Sequence, residues 1–96
     1  MWTETDAISS KNAQADVFDE ALRLFFERNA KYKDLWKQYE ADDHALHIKS
    51  KAMRVVQSVT TGGTPNEICE DAYDLINYAA FLIRTVAPEV SRGDHD

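Results

Sequence analysis

Three stretches of the chain alternate apolar and polar positions at the period of an α-helix. The clearest runs from Thr64 to Ala87. Ile68, Ala72, Leu75, Ala79, Leu82 and Val86 form one stripe, and Cys69, Tyr73, Ile76, Ala80, Ile83 and Ala87 form a second beside it. At ~100° per residue the two stripes give an apolar arc of roughly half the circumference. An arc that wide predicts packing against two or more neighbours. Thr64 suits the N-cap, Pro65 the first helical position, Glu67 completes a capping box, and Pro88 ends the run.

A first helix is predicted over Asn12 to Ala30, with Val17, Ala21, Leu24 and Phe25 as its apolar face, flanked by Phe18, Leu22 and Phe26. A second is predicted over Asp43 to Thr60, with Ile48, Ala52, Val55 and Val59 as its seam and a polar stripe of His47, Lys51, Arg54 and Ser58 beside it. Between them the apolar phase shifts. A turn near Lys31–Asp34 and a short helical piece carrying Leu35, Trp36 and Tyr39 account for that shift. Gly62-Gly63 separates the second helix from the third. Residues 1–11 show no period and read as a frayed, disordered N-terminus, residues 12–87 as one domain, and residues 88–96 as a disordered tail. The pattern predicts an all-α fold: a small bundle of three main helices plus a short one, with antiparallel neighbours.

Ninety-six residues make one small domain, and 44% hydrophobic residues allow only a modest core. The wide arc on the third helix therefore predicts a homodimer, with Ile76, Ala80 or Ile83 near the interface. A formal net charge of -6 argues against binding polymeric nucleic acid, while leaving a single nucleotide open as ligand. The lone Cys69 cannot form an internal disulfide, which fits a cytoplasmic location, and its place on the apolar arc predicts a buried thiol. No apolar run approaches the ~20 residues of a membrane span, and Met1 to Lys11 lacks the apolar middle of a signal peptide.

Several clusters have the residue types of a site. Glu67, Glu70, Asp71 and Asp74 lie three or four apart, so two or three carboxylates can grip one Mg²⁺. The same acids also suit the helix dipole, or ion pairs to Lys51 and Arg54. Lys51 and Arg54 share one face and can hold phosphate. Asn77, Tyr78 and Phe81 continue the acidic face. Tyr32, Trp36 and Tyr39 read either as a cap on one end of the core or as a stacking surface for a base. His44 and His47 have a spacing that a transition metal can bridge, with no third ligand in view.

The order of these pieces resembles a known family. Arg28-Asn29-Ala30-Lys31-Tyr32 followed by Trp36, then Ile48, Lys51 and Arg54 at intervals of three, then Glu70-Asp71-x-x-Asp74-Leu75-x-Asn77-Tyr78, resembles the nucleotide modification associated domain of the first type. That is a small all-α family found mainly in bacteriophages, and the resemblance covers residues 17–86. More distantly, the third helix is similar to the matching helix of the MazG-like nucleoside triphosphate pyrophosphohydrolases, with Asp71-Ala72-Tyr73-Asp74 in the place of their ExxD pair. In those enzymes a preceding helix adds EExxE, and the acids bind Mg²⁺ at a dimer or pseudo-dimer interface. Here that helix offers His47, Lys51 and Arg54 instead. The stretch after Tyr32 also lacks the glycine that the family leads one to expect.

The resemblance implies a phage-encoded protein of the host cell cytoplasm that binds or hydrolyses a (deoxy)nucleoside triphosphate. It would use Glu70, Asp71 and Asp74 for Mg²⁺, and Lys51, Arg54, Trp36, Asn77 and Tyr78 for the nucleotide. The missing glutamates favour an alternative of another class: a small non-enzymatic protein that binds and inhibits a host protein.

Overall fold

A computed structural model describes residues 1–90. The chain folds as α1 (Glu4–Tyr32), a 3₁₀ turn (Leu35–Gln38), α2 (Ala41–Thr60), α3 (Pro65–Val86) and a closing 3₁₀ turn (Pro88–Val90). Among the described residues there is no strand, so the fold is an all-α bundle as the periodicity predicts. No helix is long and apolar enough to cross a membrane among those residues. The tail expected to be disordered lies, from residue 91 on, outside the described residues.

α1 starts at Glu4 rather than at Asn12, which corrects the expectation of a frayed segment to Lys11. The cause is a reciprocal cap. The Asp6 amide donates to Thr3 Oγ1 at 3.1 Å, and the Thr3 amide donates to Asp6 Oδ2 at 2.8 Å. Two of the orphan donors of a helix start are satisfied in this way, and the acid suits the dipole there. The cap on α3 is simpler than expected. Thr64 Oγ1 accepts from the Glu67 amide at 3.2 Å, while no return bond from the Glu67 carboxylate is formed.

The turn after α1 is built without glycine. Lys33 and Asp34 both take left-handed backbone angles, with φ of 52° and 60°. Side chains compensate for that strain. Asn29 Nδ2 donates to Asp34 Oδ1 at 2.7 Å, the Asp34 amide returns a bond to Asn29 Oδ1 at 3.0 Å, and the Trp36 indole N–H reaches the same carboxylate at 3.2 Å. The Asn29 bonds, with the Lys37 ion pair, hold the Asp34 carboxyl below the ordinary carboxylate range. Lys33 has no such compensation, since a left-handed L-residue costs about 1 kcal/mol that glycine avoids. Lys33→Gly is therefore expected to raise stability by up to about 1 kcal/mol, a rise of a few degrees in Tm. Asp34→Gly relieves the same kind of strain yet loses the two side-chain hydrogen bonds from Asn29 and Trp36 and the Lys37 ion pair, and should lower Tm. Thermal melts of the two variants side by side check this, and equal signs would contradict it.

The turn between α2 and α3 needs both glycines. Gly62 has φ of +76°, and a Cβ on Gly63 would sit 2.8 Å from the Ser58 carbonyl oxygen. The Gly63 amide donates to that same carbonyl at 2.7 Å. This tight return sets α2 and α3 antiparallel and fixes their register. Ser58 faces Asp71, Lys51 faces Asp74, His47 faces Tyr78, and His44 faces Phe81. The pair is thus joined along its polar stripes. α1 lies on one side of it: Asn77 Nδ2 donates to the Ala21 carbonyl at 2.9 Å, and Phe25 meets Phe81 with ring centres 5.7 Å apart.

The core is correspondingly thin. Among the described residues Ala21 is the one apolar side chain that is buried. Cys69 is exposed, against the expectation of a buried thiol, because its side of α3 is turned away from α1 and α2.

Candidate functional site: a charged aromatic cleft

The polar stripes of α2 and α3 lead into a cleft of about 390 Å³ that α1 and the 3₁₀ turn close from the other side. Asp74 is one of the residues that line it. Its carboxylate pairs with Lys51 Nζ from α2 at 3.2 Å and with Arg28 Nη1 from α1. The Asp74 and Lys51 side chains are less than a fifth exposed, so water screens this pair only in part. One carboxylate between two cations leaves the cluster at +1, and most of the guanidinium and ammonium donors stay free. One turn earlier, Asp71 is buried, accepts from Ser58 Oγ at 3.0 Å and lies 3.5 Å from Arg54 Nε.

The aromatic side chains form one connected group. Trp36 and Phe81 stack with centres 5.0 Å apart and planes 4° from parallel, and the Arg84 guanidinium lies 4.3 Å from the centre of the same indole. Trp36 is thus packed against Phe81 and Arg84 while it also lines the cleft. Tyr39 and Tyr32 keep exposed area at the mouth of the cleft. Tyr78 stacks on His47 with centres 5.1 Å apart, and Lys51 Nζ lies 5.9 Å from its ring centre. Burial, and after it the Asp74 charge, push the Tyr78 phenol above its ordinary pKa, so it remains a neutral donor at physiological pH.

His44 stands behind this wall with no exposed surface, within 6.2 Å of the Trp36, Tyr39 and Phe81 ring centres. Neither ring nitrogen has a hydrogen-bond partner. It packs as a flat ring among aromatic neighbours, and His47 stacks on Tyr78 instead of joining it at a metal.

Of the residues singled out from sequence, Lys51, Asp74, Asn77, Tyr78 and Trp36 all line the cleft. Asp71 and Arg54 pair one turn away, and Glu70 is exposed. Among the described residues no three carboxylate, imidazole or thiol groups gather tightly enough to hold a metal ion by themselves. Asp71 and Asp74 fit the lesser role usual for Mg²⁺, in which one or two carboxylates add to ligand phosphates and water. Arg28 was not singled out as a site residue, although a signal was there: it follows Ala21, Leu24 and Phe25 at helical spacing, so a cation stands in the apolar register of α1.

The fold defines a small helical protein with an aromatic-walled cleft that carries Arg28, Lys51 and Asp74. Comparison with known protein families, characterised proteins and solved structures gave no match.

Proposed function

We propose that the cleft binds a nucleotide, with Arg28 and Lys51 holding its phosphates and Tyr32, Tyr39 and Asn77 bordering the base. The observation that carries this reading is the convergence of two cations from different helices on one carboxylate in an aromatic-lined cleft. Arg presents a planar fork and Lys a compact charge, which together suit a phosphate. The cleft volume falls within the range of small-ligand sites. The likeness of the residues 70–78 run to the nucleotide modification associated domain points the same way. A Mg²⁺ ion accompanying a triphosphate would meet Asp74 and Asp71, with Glu70 nearest to them in sequence. Such an ion neutralises phosphate charge. Binding is the proposed activity, and hydrolysis would extend it in the same site.

The test is thermal melting against a panel of nucleoside and deoxynucleoside mono- and triphosphates, each with and without Mg²⁺. A ligand at about 100 times its Kd stabilises by about 2.7 kcal/mol, which is a Tm rise of roughly 10 °C or more for a domain this small. Lys51→Gln should abolish the rise. A panel without any shift, or a shift untouched by Lys51→Gln, would refute the reading. The second reading, a protein that acts by binding another protein, draws on the exposed apolar side chains. It predicts capture of a partner by the wild type with no nucleotide response.

A further inference from the structure

The first part of α1 runs free of the bundle. The contacts described above between α1 and α3 begin at Ala21, whose carbonyl accepts from Asn77, while every residue from 1 to 19 is exposed. At 1.5 Å per residue, residues 4–19 form an arm about 24 Å long. A helix in a protein owes most of its stability to the packing of an amphipathic face. This arm and the turns that follow it have such a face and leave it largely to solvent. With ~100° per residue, Ile8, Ala15, Phe18, Leu22 and Phe26 lie about 60–140° around α1 from Ala21, which faces α3. Phe18 is 52% exposed, Leu22 61% and Phe26 78%. None of these side chains lines the cleft.

Charge decides what can cover the stripe. Along its outer edge, at about 160–260° on the same scale, stand Asp16, Asp19, Glu20 and Glu27 with Arg23. Arg23 is already held by Glu20 at 2.7 Å and by Glu27 at 2.9 Å. Asp16 and Asp19 form no ion pair among the described residues. Glu4 and Asp6 add acids near the start of the helix, and Lys11 is the cation on the stripe itself. A second copy laid antiparallel along the stripe sets this acidic edge against itself, and like charges placed opposite one another cost free energy. Nucleic acid and anionic membranes are repelled for the same reason. Helices that lie in a membrane surface carry Lys and Arg where α1 carries acids. A helix with its own apolar seam and basic flanks meets none of these costs.

We propose that the Phe18, Leu22 and Phe26 stripe of α1 docks an amphipathic helix of a partner protein whose apolar seam is flanked by Lys and Arg. The partner's apolar side chains, spaced by three and four, lie along the stripe, and its basic flank meets Asp16, Asp19 and Glu20. This rests on the protein-binding reading given above, to which it adds the surface and the chemistry of the partner. It does not involve Lys51 or Asp74, so the nucleotide reading stands or falls separately.

The probe is a labelled synthetic helix of about 18 residues with a leucine seam and Lys and Arg on its flanks. Its control keeps the seam and carries Glu on the flanks. Fluorescence anisotropy with the full chain should show saturable binding of the basic peptide, weakened by added salt, and at least about tenfold weaker binding of the acidic one. The double variant Leu22→Gln, Phe26→Gln should weaken the basic peptide about tenfold or more, since two apolar side chains lose their burial. Both positions are exposed and glutamine is a good helix former, so the fold is kept. Asp16→Asn with Asp19→Asn should lower the affinity and flatten its salt dependence. Equal binding of the two peptides, or binding of neither, would overturn the proposal. So would anionic vesicles that bind the chain through Leu22 and Phe26, or a dimer in light scattering that the double variant breaks. Binding of the basic peptide that survives the double variant would remove this surface while leaving the protein-binding reading in force elsewhere on the molecule.

Discussion

Replacing Phe81 by alanine is expected to cost about 3–4 kcal/mol, the range found when a packed aromatic ring is truncated. Its ring meets Phe25 of α1 at 5.7 Å, Trp36 of the 3₁₀ turn at 5.0 Å, His44 of α2 at 6.0 Å and Tyr78 of α3 at 5.5 Å between centres. No other single side chain described above touches all four elements. Its loss also uncovers His44, whose two nitrogens have no partner. Water entering the gap would hydrate that imidazole and help separate the elements. A small domain holds roughly 5–15 kcal/mol in total, so this variant should melt far below the wild type or be partly unfolded at room temperature. Urea unfolding followed by circular dichroism measures the cost. Phe81→Leu keeps most of the volume and should lose less than half as much. A loss below about 1 kcal/mol for Phe81→Ala would show that the cluster is not the point at which the elements are joined.

The second large effect concerns Asp74. Asp74→Asn is expected to lower stability by about 2 kcal/mol, less than the 3–5 kcal/mol of a fully buried pair because Arg28 remains partly solvated. The loss should be the same with and without Mg²⁺, since the carboxylate serves Lys51 and Arg28 in the free protein. A gain in stability in metal-free buffer would instead point to like-charge repulsion between Asp71 and Asp74 as the dominant interaction there. A double-mutant cycle with Lys51→Met isolates the pair, and a coupling below about 0.5 kcal/mol would contradict it. Without Mg²⁺, the affinity for a nucleotide should move the other way. With Asp74 neutral, the cation pair rises from +1 to +2, so a phosphate that binds there should bind more tightly to a less stable protein. Opposite signs for stability and affinity are what distinguish a phosphate site from a purely structural ion pair.

Local chemistry accounts for much of what was legible in the chain. Helix existence follows from period, and α2 and α3 both end at or within a residue of where caps, glycines and Pro88 place them. α1 shows the limit. Its first two turns have no apolar period, so pattern reading stopped at Asn12, while a three-residue capping interaction carried the helix back to Glu4. The turn at Lys33–Asp34 was placed correctly, but its left-handed backbone was not legible, because glycine is the usual signal and here side-chain hydrogen bonds from Asn29 and Trp36 replace it.

By itself the sequence determined the all-α fold, the polar stripes of α2 and α3 and the aromatic enrichment between α1 and α2, since each depends only on residues within a few turns of one another. The tertiary structure decided which stripe faces which. The apolar arc predicted only that α3 packs against two or more neighbours, while the tight Gly62-Gly63 return joins α2 and α3 through Ser58, Lys51, His47 and His44 against Asp71, Asp74, Tyr78 and Phe81. That rotation exposes Cys69, brings Arg28 of α1 onto Asp74 and leaves Val59, Ile83 and Val86 exposed. Helical period fixes the angle between two stripes on one helix, but only contacts made across the chain, each worth a kcal/mol or so, fix the angle between helices.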